Sequence, residues 1–237
     1  MLVALVLAPA LAGCETTHEK SAKLERAALR ARKGTGAATG VRITRPSTQV
    51  RVVSTTLLHG SEGAAAVVTV RNRSAHALRS VPIAIEAKDP SGTVVYSNTG
   101  GGVAASLTQI SYLPPRATFT WVDDQVQGSS VSSLSVKVGE APSVSGKAPA
   151  LAISGVKGFE DPANGPGAEG IVANRSALEQ HELALYVVAR RGGRVVAAGR
   201  AVVPLLAPGK STRFQAFFVG SPRGGTIEAQ APPATLP

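Results

Sequence analysis

Asn72-Arg73-Ser74-Ala75 recurs 102 residues later as Asn174-Arg175-Ser176-Ala177, and the surroundings of the two tetrapeptides match as well. Self-similarity at a long period constrains the fold more than any local propensity, because one architecture must serve both copies. Before the tetrapeptide, Val68 and Val70 alternate with small or polar residues, and Gly170 and Val172 take the same places. After it, Val81, Ile83 and Ile85 alternate in one copy and Leu183, Leu185 and Val187 in the other. A turn follows in each, Asp89-Pro90-Ser91-Gly92 and Arg190-Arg191-Gly192-Gly193, and then a β-prone run, Val94-Val95-Tyr96 and Val195-Val196-Ala197.

Leu113-Pro114-Pro115 matches Leu206-Ala207-Pro208, and an aromatic strand comes next in both copies. Side chains alternate across a strand with period two, so Phe119 and Trp121 share one face, as do Phe214, Ala216 and Phe218. These aromatics read as core anchors rather than a ligand platform. Val50-Arg51-Val52-Val53 and Leu151-Ala152-Ile153 open the copies, and Leu134–Val138 and Thr226–Glu228 close them. Each copy therefore holds roughly seven short strands between Gly, Pro, Asn and Ser turns, the pattern of an antiparallel sandwich. Alternation with one polar face fits antiparallel sheets better than parallel ones buried on both sides.

Composition agrees with packed cores. Hydrophobic residues are 43% and charged residues 17%; aromatics are only 4%, so Val, Ile, Leu and Ala must fill the interior. The net charge of +10 is spread along the chain, which predicts no nucleic-acid face. The stretch 139–149, GEAPSVSGKAP, marks a boundary between the copies. The expected division is a leader at 1–13, a tether at 14–40, a first sandwich at 41–139, a linker at 140–149, a second sandwich at 150–230 and a Pro-rich tail at 231–237.

Residues 2–12, LVALVLAPALA, are an apolar run of signal-peptide length, too short for the roughly 20 residues that a spanning helix needs. Leu11-Ala12-Gly13-Cys14 follows and resembles the lipobox of bacterial lipoproteins. That resemblance implies diacylglyceryl attachment to the Cys14 thiol, cleavage before Cys14 and anchoring at the extracytoplasmic face of a membrane. Cys14 is the only cysteine, so no internal disulfide forms. Two acyl chains at about 0.8 kcal/mol per buried methylene suffice for a stable anchor. Residues 18–33 carry Lys20, Lys23, Arg26, Arg30, Arg32 and Lys33 against Glu19 and Glu25. They read as a solvated, partly helical tether, and GTGAATG at 34–40 as a flexible linker.

The repeat order of strand, Asn-x-Ser turn, alternating strand, Gly turn, Val-Val, Leu-x-Pro and aromatic strand is similar to FxLYD-type and related immunoglobulin-like domains of bacterial envelope proteins. Leu183-Ala184-Leu185-Tyr186 lies close to that family's Leu-Tyr core, with Val187 where its acid would follow. The first copy lacks the Tyr and keeps Asp89 before its turn. The resemblance implies tandem immunoglobulin-like sandwiches and non-enzymatic modules.

Motifs for catalysis are scarce. His18 falls in the tether, and His59, His76 and His181 fall at expected strand ends or loops. His181-Glu182 begins like a zinc-protease motif, but Leu185 stands where its second histidine belongs. No Gly-x-Ser-x-Gly elbow or phosphate-binding glycine loop occurs. Asp123-Asp124 and Glu160-Asp161 are adjacent carboxylates that a strand would point to opposite faces. Asp161 opens a Gly/Pro-rich loop and reads as a turn residue. Both Asn-Arg-Ser sites read as strand-end turns. Arg190, Arg191, Arg194 and Arg200 are the densest basic group of the second copy and the candidate contact for an anionic partner.

The expectation is thus a non-catalytic envelope protein without cofactor or metal. Its partners would be the membrane through the anchor, another envelope protein or an anionic wall polymer. Three rivals remain. A small-molecule-binding lipoprotein of a transport system would show a polar cavity between the copies. A mechanical spacer would show a rigid interface there rather than a hinge at 139–149. An enzyme would show convergent groups such as His59 or His76 beside Asp89.

Overall fold

Short alternating segments become strands wherever an apolar face can be covered, and the computed structural model, which describes residues 40–60, 63–127 and 130–237, is all-β over them. The first copy forms β1 (Val50–His59), β2 (Ala64–Asn72), β3 (Ala77–Lys88), β4 (Val94–Ser97), β5 (Gln109–Leu113), β6 (Thr118–Val126), β7 (Ser133–Val138) and β8 (Ser143–Val144). The second forms β9 (Leu151–Asp161), β10 (Gly165–Asn174), β11 (Gln180–Arg191), β12 (Arg194–Leu206), β13 (Ser211–Phe217), β14 (Val219–Gly220) and β15 (Thr226–Gln230). Among the described residues no helix is long and apolar enough to cross a membrane.

Each copy is a sandwich of antiparallel sheets. In the first, β1-β2-β6 faces a sheet in which β3 pairs β4, β5, β7 and β8. In the second, β9-β10-β13 faces β14-β12-β11-β15. Val81, Ile83, Ile85 and Ala87 alternate into the first core, where Trp121 is fully buried. Leu183, Leu185, Val187 and Phe214 do the same in the second.

The repeat extends to single hydrogen bonds. Asn72 is buried and its amide nitrogen donates to the carbonyls of His76 and Pro114 at 2.8 and 2.9 Å; its oxygen accepts from the Ser74 backbone and hydroxyl. Asn174 donates to Leu178 and Leu206 at 2.7 and 3.0 Å and accepts from both Ser176 groups. The Asn side chain supplies bonds where the backbone leaves the sheet, and the Ser closes the turn. Both Asn-Arg-Ser segments are therefore strand-end turns.

The copies differ by one insertion. Asn72 and Leu113 are 41 residues apart, Asn174 and Leu206 only 32, so the first copy carries nine more. In the second copy β12 runs unbroken for 13 residues beside β11. In the first, the equivalent strand is split into β4 and β5 around a loop with a single 3-10 turn at Ala105–Leu107. Buried Asn98 repairs the break: its oxygen accepts from the Ile85 nitrogen at 2.8 Å, and its nitrogen donates to the Ile83 and Leu107 carbonyls. One amide thus replaces the ladder bonds that β3 loses.

Three sequence expectations change. The 140–149 stretch is not all linker, because β8 lies in it and pairs with Ala77 and Leu78 of β3. The Pro-rich end is docked: Ala234 and Thr235 nitrogens donate to the buried Gln180 oxygen at 2.9 and 3.1 Å, and Pro232 and Pro233 are buried. The third concerns alternation. All residues from Leu183 to Ala189 in β11 are buried, as are Ala64 to Val70 in β2, so neither strand has a polar face. The leader, Cys14 and the tether up to residue 39 lie outside the described residues, as does His18.

Candidate functional site

The doubly buried strands meet each other's units. Leu183, Leu185, Val187 and Ala189 fill the second sandwich, while Ala184, Tyr186 and Val188 join the core of the first. Ala198 of β12 joins them there. One sheet therefore serves two cores, the layered arrangement that buries both faces of its central strands.

Polar groups around this seam meet across it. Arg200 and Asp124 form an ion pair at 3.4 Å with side chains only 4% and 12% exposed. The Arg200 backbone nitrogen donates to the same carboxylate at 3.0 Å, and its guanidinium donates to the Ser106 hydroxyl at 3.0 Å. The Tyr186 hydroxyl donates to the Ser106 carbonyl at 2.8 Å, which also accepts from the Trp121 indole at 2.9 Å. Ser106 lies in the insertion that the second copy lacks, so unrepeated residues help to receive the second unit.

Further along, Arg190 donates to the Thr120 hydroxyl at 2.8 Å and pairs with Glu228 at 3.1 Å. The Thr120 nitrogen, on the open edge of β6, donates to the Gln230 side chain at 3.0 Å. Phe119 meets Tyr186 edge to face at 5.3 Å between ring centroids. Beside Arg200, Gly199 lets strands close up: a Cβ there would lie 2.0 Å from the Phe217 carbonyl oxygen.

Asp123 and Asp124 diverge as strand neighbours must. Asp123 turns into the first unit, where it accepts from the Tyr96 hydroxyl at 2.7 Å and the Gln125 nitrogen at 3.0 Å. Burial pushes its carboxyl up to about 7, despite the lowering effect of those bonds. Burial likewise raises the Tyr96 and Tyr186 phenols, so both remain donors at neutral pH.

The other candidates are scattered. Of the arginine group, Arg200 and Arg190 are committed to the seam; Arg191 and Arg194 alone flank the exposed hairpin tip at Gly192-Gly193. His76 precedes β3 and Asp89 follows it, so the strand's length separates them. Hydrogen bonding from Ser91 holds the Asp89 carboxyl below its usual range within its own turn. His181 is exposed beside Glu179 at 3.0 Å, and His59 is exposed at the end of β1. Asp161 accepts from the Ala163 and Asn164 nitrogens, which lower its pKa, as a turn residue does. Among the described residues no three His, Cys, Asp or Glu side chains gather as for a metal. A shallow depression lies on the outer face of β3 and β7, under Val41 and Ile43 and lined by Glu86, Thr99 and Lys137; it is not between the copies.

Sequence reasoning named Arg200 and Tyr186 but not their roles, and it missed Ser106 and Thr120. One signal was available: Ala184, Tyr186 and Val188 make β11 apolar on the face where a solvent-facing strand is polar. The sequence matches no family model and no curated protein.

Proposed function

We propose that the chain is a lipid-anchored envelope protein whose two sandwiches act as one stiff, non-catalytic spacer and assembly platform. The observation that carries this reading is the shared sheet: β11 gives one face to each core, with the Asp124–Arg200 pair enclosed beside it. A flexible pair of modules would expose that second face, whose burial is worth roughly 25 cal/mol per Å² of apolar surface. A shared core fixes the angle between the units and transmits load between them. The lipobox at Leu11–Cys14 supplies the anchor. The edges of β1 and β9 offer backbone groups for strand addition by another envelope protein.

Two measurements test this. The mass of the native product reports whether Cys14 carries the acyl groups; a free thiol removes the anchor from the proposal. Spin labels at Val95→Cys and Arg194→Cys, in a Cys14→Ser background, report the distance between units. A single narrow distribution supports the spacer, and a broad one overturns it.

A further inference from the structure

A second basic cluster lies on the first unit. In the register of β1 and β2, Arg51 stands directly opposite Arg71, so two guanidinium groups share one rung of one sheet face. Directly opposed like charges destabilise a sheet. Arg71 is flanked on its other side by Thr118 of β6, and all three residues are exposed. Arg73 and Arg116, also exposed, lie in the turns at the same end, where the Arg116 guanidinium donates to the Arg73 carbonyl. Among the described residues none of these four arginines has an ion-pair partner; the carboxylate of Glu228 is engaged by Arg190 two rungs up, at Thr120.

The repeat provides an internal control. Val50 opposite Asn72 corresponds to Leu151 opposite Asn174, and the next rung is Arg51 with Arg71 in one copy and Ala152 with Ala173 in the other. The same fold therefore forms with two alanines at this rung. The arginines are not needed for the sheet, and their mutual repulsion works against it. The second unit covers the apolar upper rungs of this face, around Val67 and Val122, and leaves the arginine rung outside.

We infer that Arg51, Arg71, Arg73 and Arg116 form a binding surface for the phosphate groups of anionic lipid headgroups. Guanidinium forks match phosphate oxygens in pairs, and a cluster of four does so without a preformed pocket. The lipid source is favoured by the basic segment that precedes this unit. The chain reaches this unit first, at Gly40, after a tether rich in Lys and Arg. With an anchor at Cys14 the first unit lies near the bilayer, where weak contacts count as intramolecular ones. The inference rests on the anchoring reading for its source of lipid, and the two fail separately: product mass reports the anchor, vesicle binding the surface.

The test is co-sedimentation of the full chain carrying Cys14→Ser with phosphatidylcholine vesicles, with and without phosphatidylglycerol. Only the phosphatidylglycerol-dependent part is scored, which removes binding by the apolar leader. Arg51→Ala/Arg71→Ala should lower that part by roughly five-fold per arginine removed, with unchanged or raised thermal stability. Arg42→Ala/Lys137→Ala, on the outer face of the opposite sheet, should leave it unchanged. Equal losses in both variants would mean diffuse attraction and overturn the site. No loss in the first would overturn it as well. Binding of soluble polyphosphate with no preference for phosphatidylglycerol vesicles would overturn the lipid assignment.

Discussion

Arg200 lies 3.4 Å from Asp124 with both side chains almost wholly enclosed between the two sandwiches. Two ions taken from water recover their hydration only through each other and through added hydrogen bonds, here to Ser106. Removing one partner leaves the other charged and buried. Asp124→Ala should therefore cost about 3–5 kcal/mol, measured by urea unfolding, and should broaden the distance distribution between spin-labelled units. The double variant Asp124→Leu/Arg200→Met should recover most of the stability, because an apolar pair needs no rehydration.

Asp123 predicts a pH dependence of its own. Its folded pKa of about 7 exceeds its ordinary value of 3.8, so the native state binds the proton more tightly than the unfolded chain. Stability contributed by this group is present at low pH and declines as pH rises from about 4 through about 7. Asp123→Asn keeps an acceptor for Tyr96 and removes the charge. Unfolding followed across pH 4 to pH 8 should show that slope flattened in the variant, with a gain on the order of 4 kcal/mol at the alkaline end. An unchanged or steeper slope would contradict a carboxyl raised by burial at Asp123.

Asn72 and Asn174 should respond alike. Each loses two or more buried amide bonds on substitution, leaving strand-end carbonyls unsatisfied. Asn72→Ala and Asn174→Ala should each cost about 2–4 kcal/mol. Because the cores are joined, denaturant unfolding of either variant should remain one transition. Two resolved transitions would show that the seam does not couple the units.

The C-terminal residues should behave as part of the second sandwich. Deleting 231–237 strips Gln180 of its bonds to Ala234 and Thr235 and uncovers apolar surface beside Ala231 and Ala234. The expected loss is about 1–3 kcal/mol, visible as a lower melting temperature, and Gln180→Ala should reproduce part of it. A disordered tail would give no change.

The sequence by itself determined the strands, the copies and their turns. Period-two alternation at Val81, Ile83 and Ile85 is local, and so is the bonding of Asn72 to its own turn; information of that range survives in a linear chain. It also carried the signal of a second buried face at Ala184, Tyr186 and Val188, though not what would cover it. The tertiary structure decided the rest. Asp124 and Arg200 are 76 residues apart, and Thr120 and Gln230 110, so their encounter depends on how one sandwich sits on the other. Burial changed a basic residue expected at the surface into a structural ion, because proximity and exclusion of water set the role of a charge. The rung of Arg51 and Arg71 needed the register too: only pairing brings residues 20 positions apart face to face.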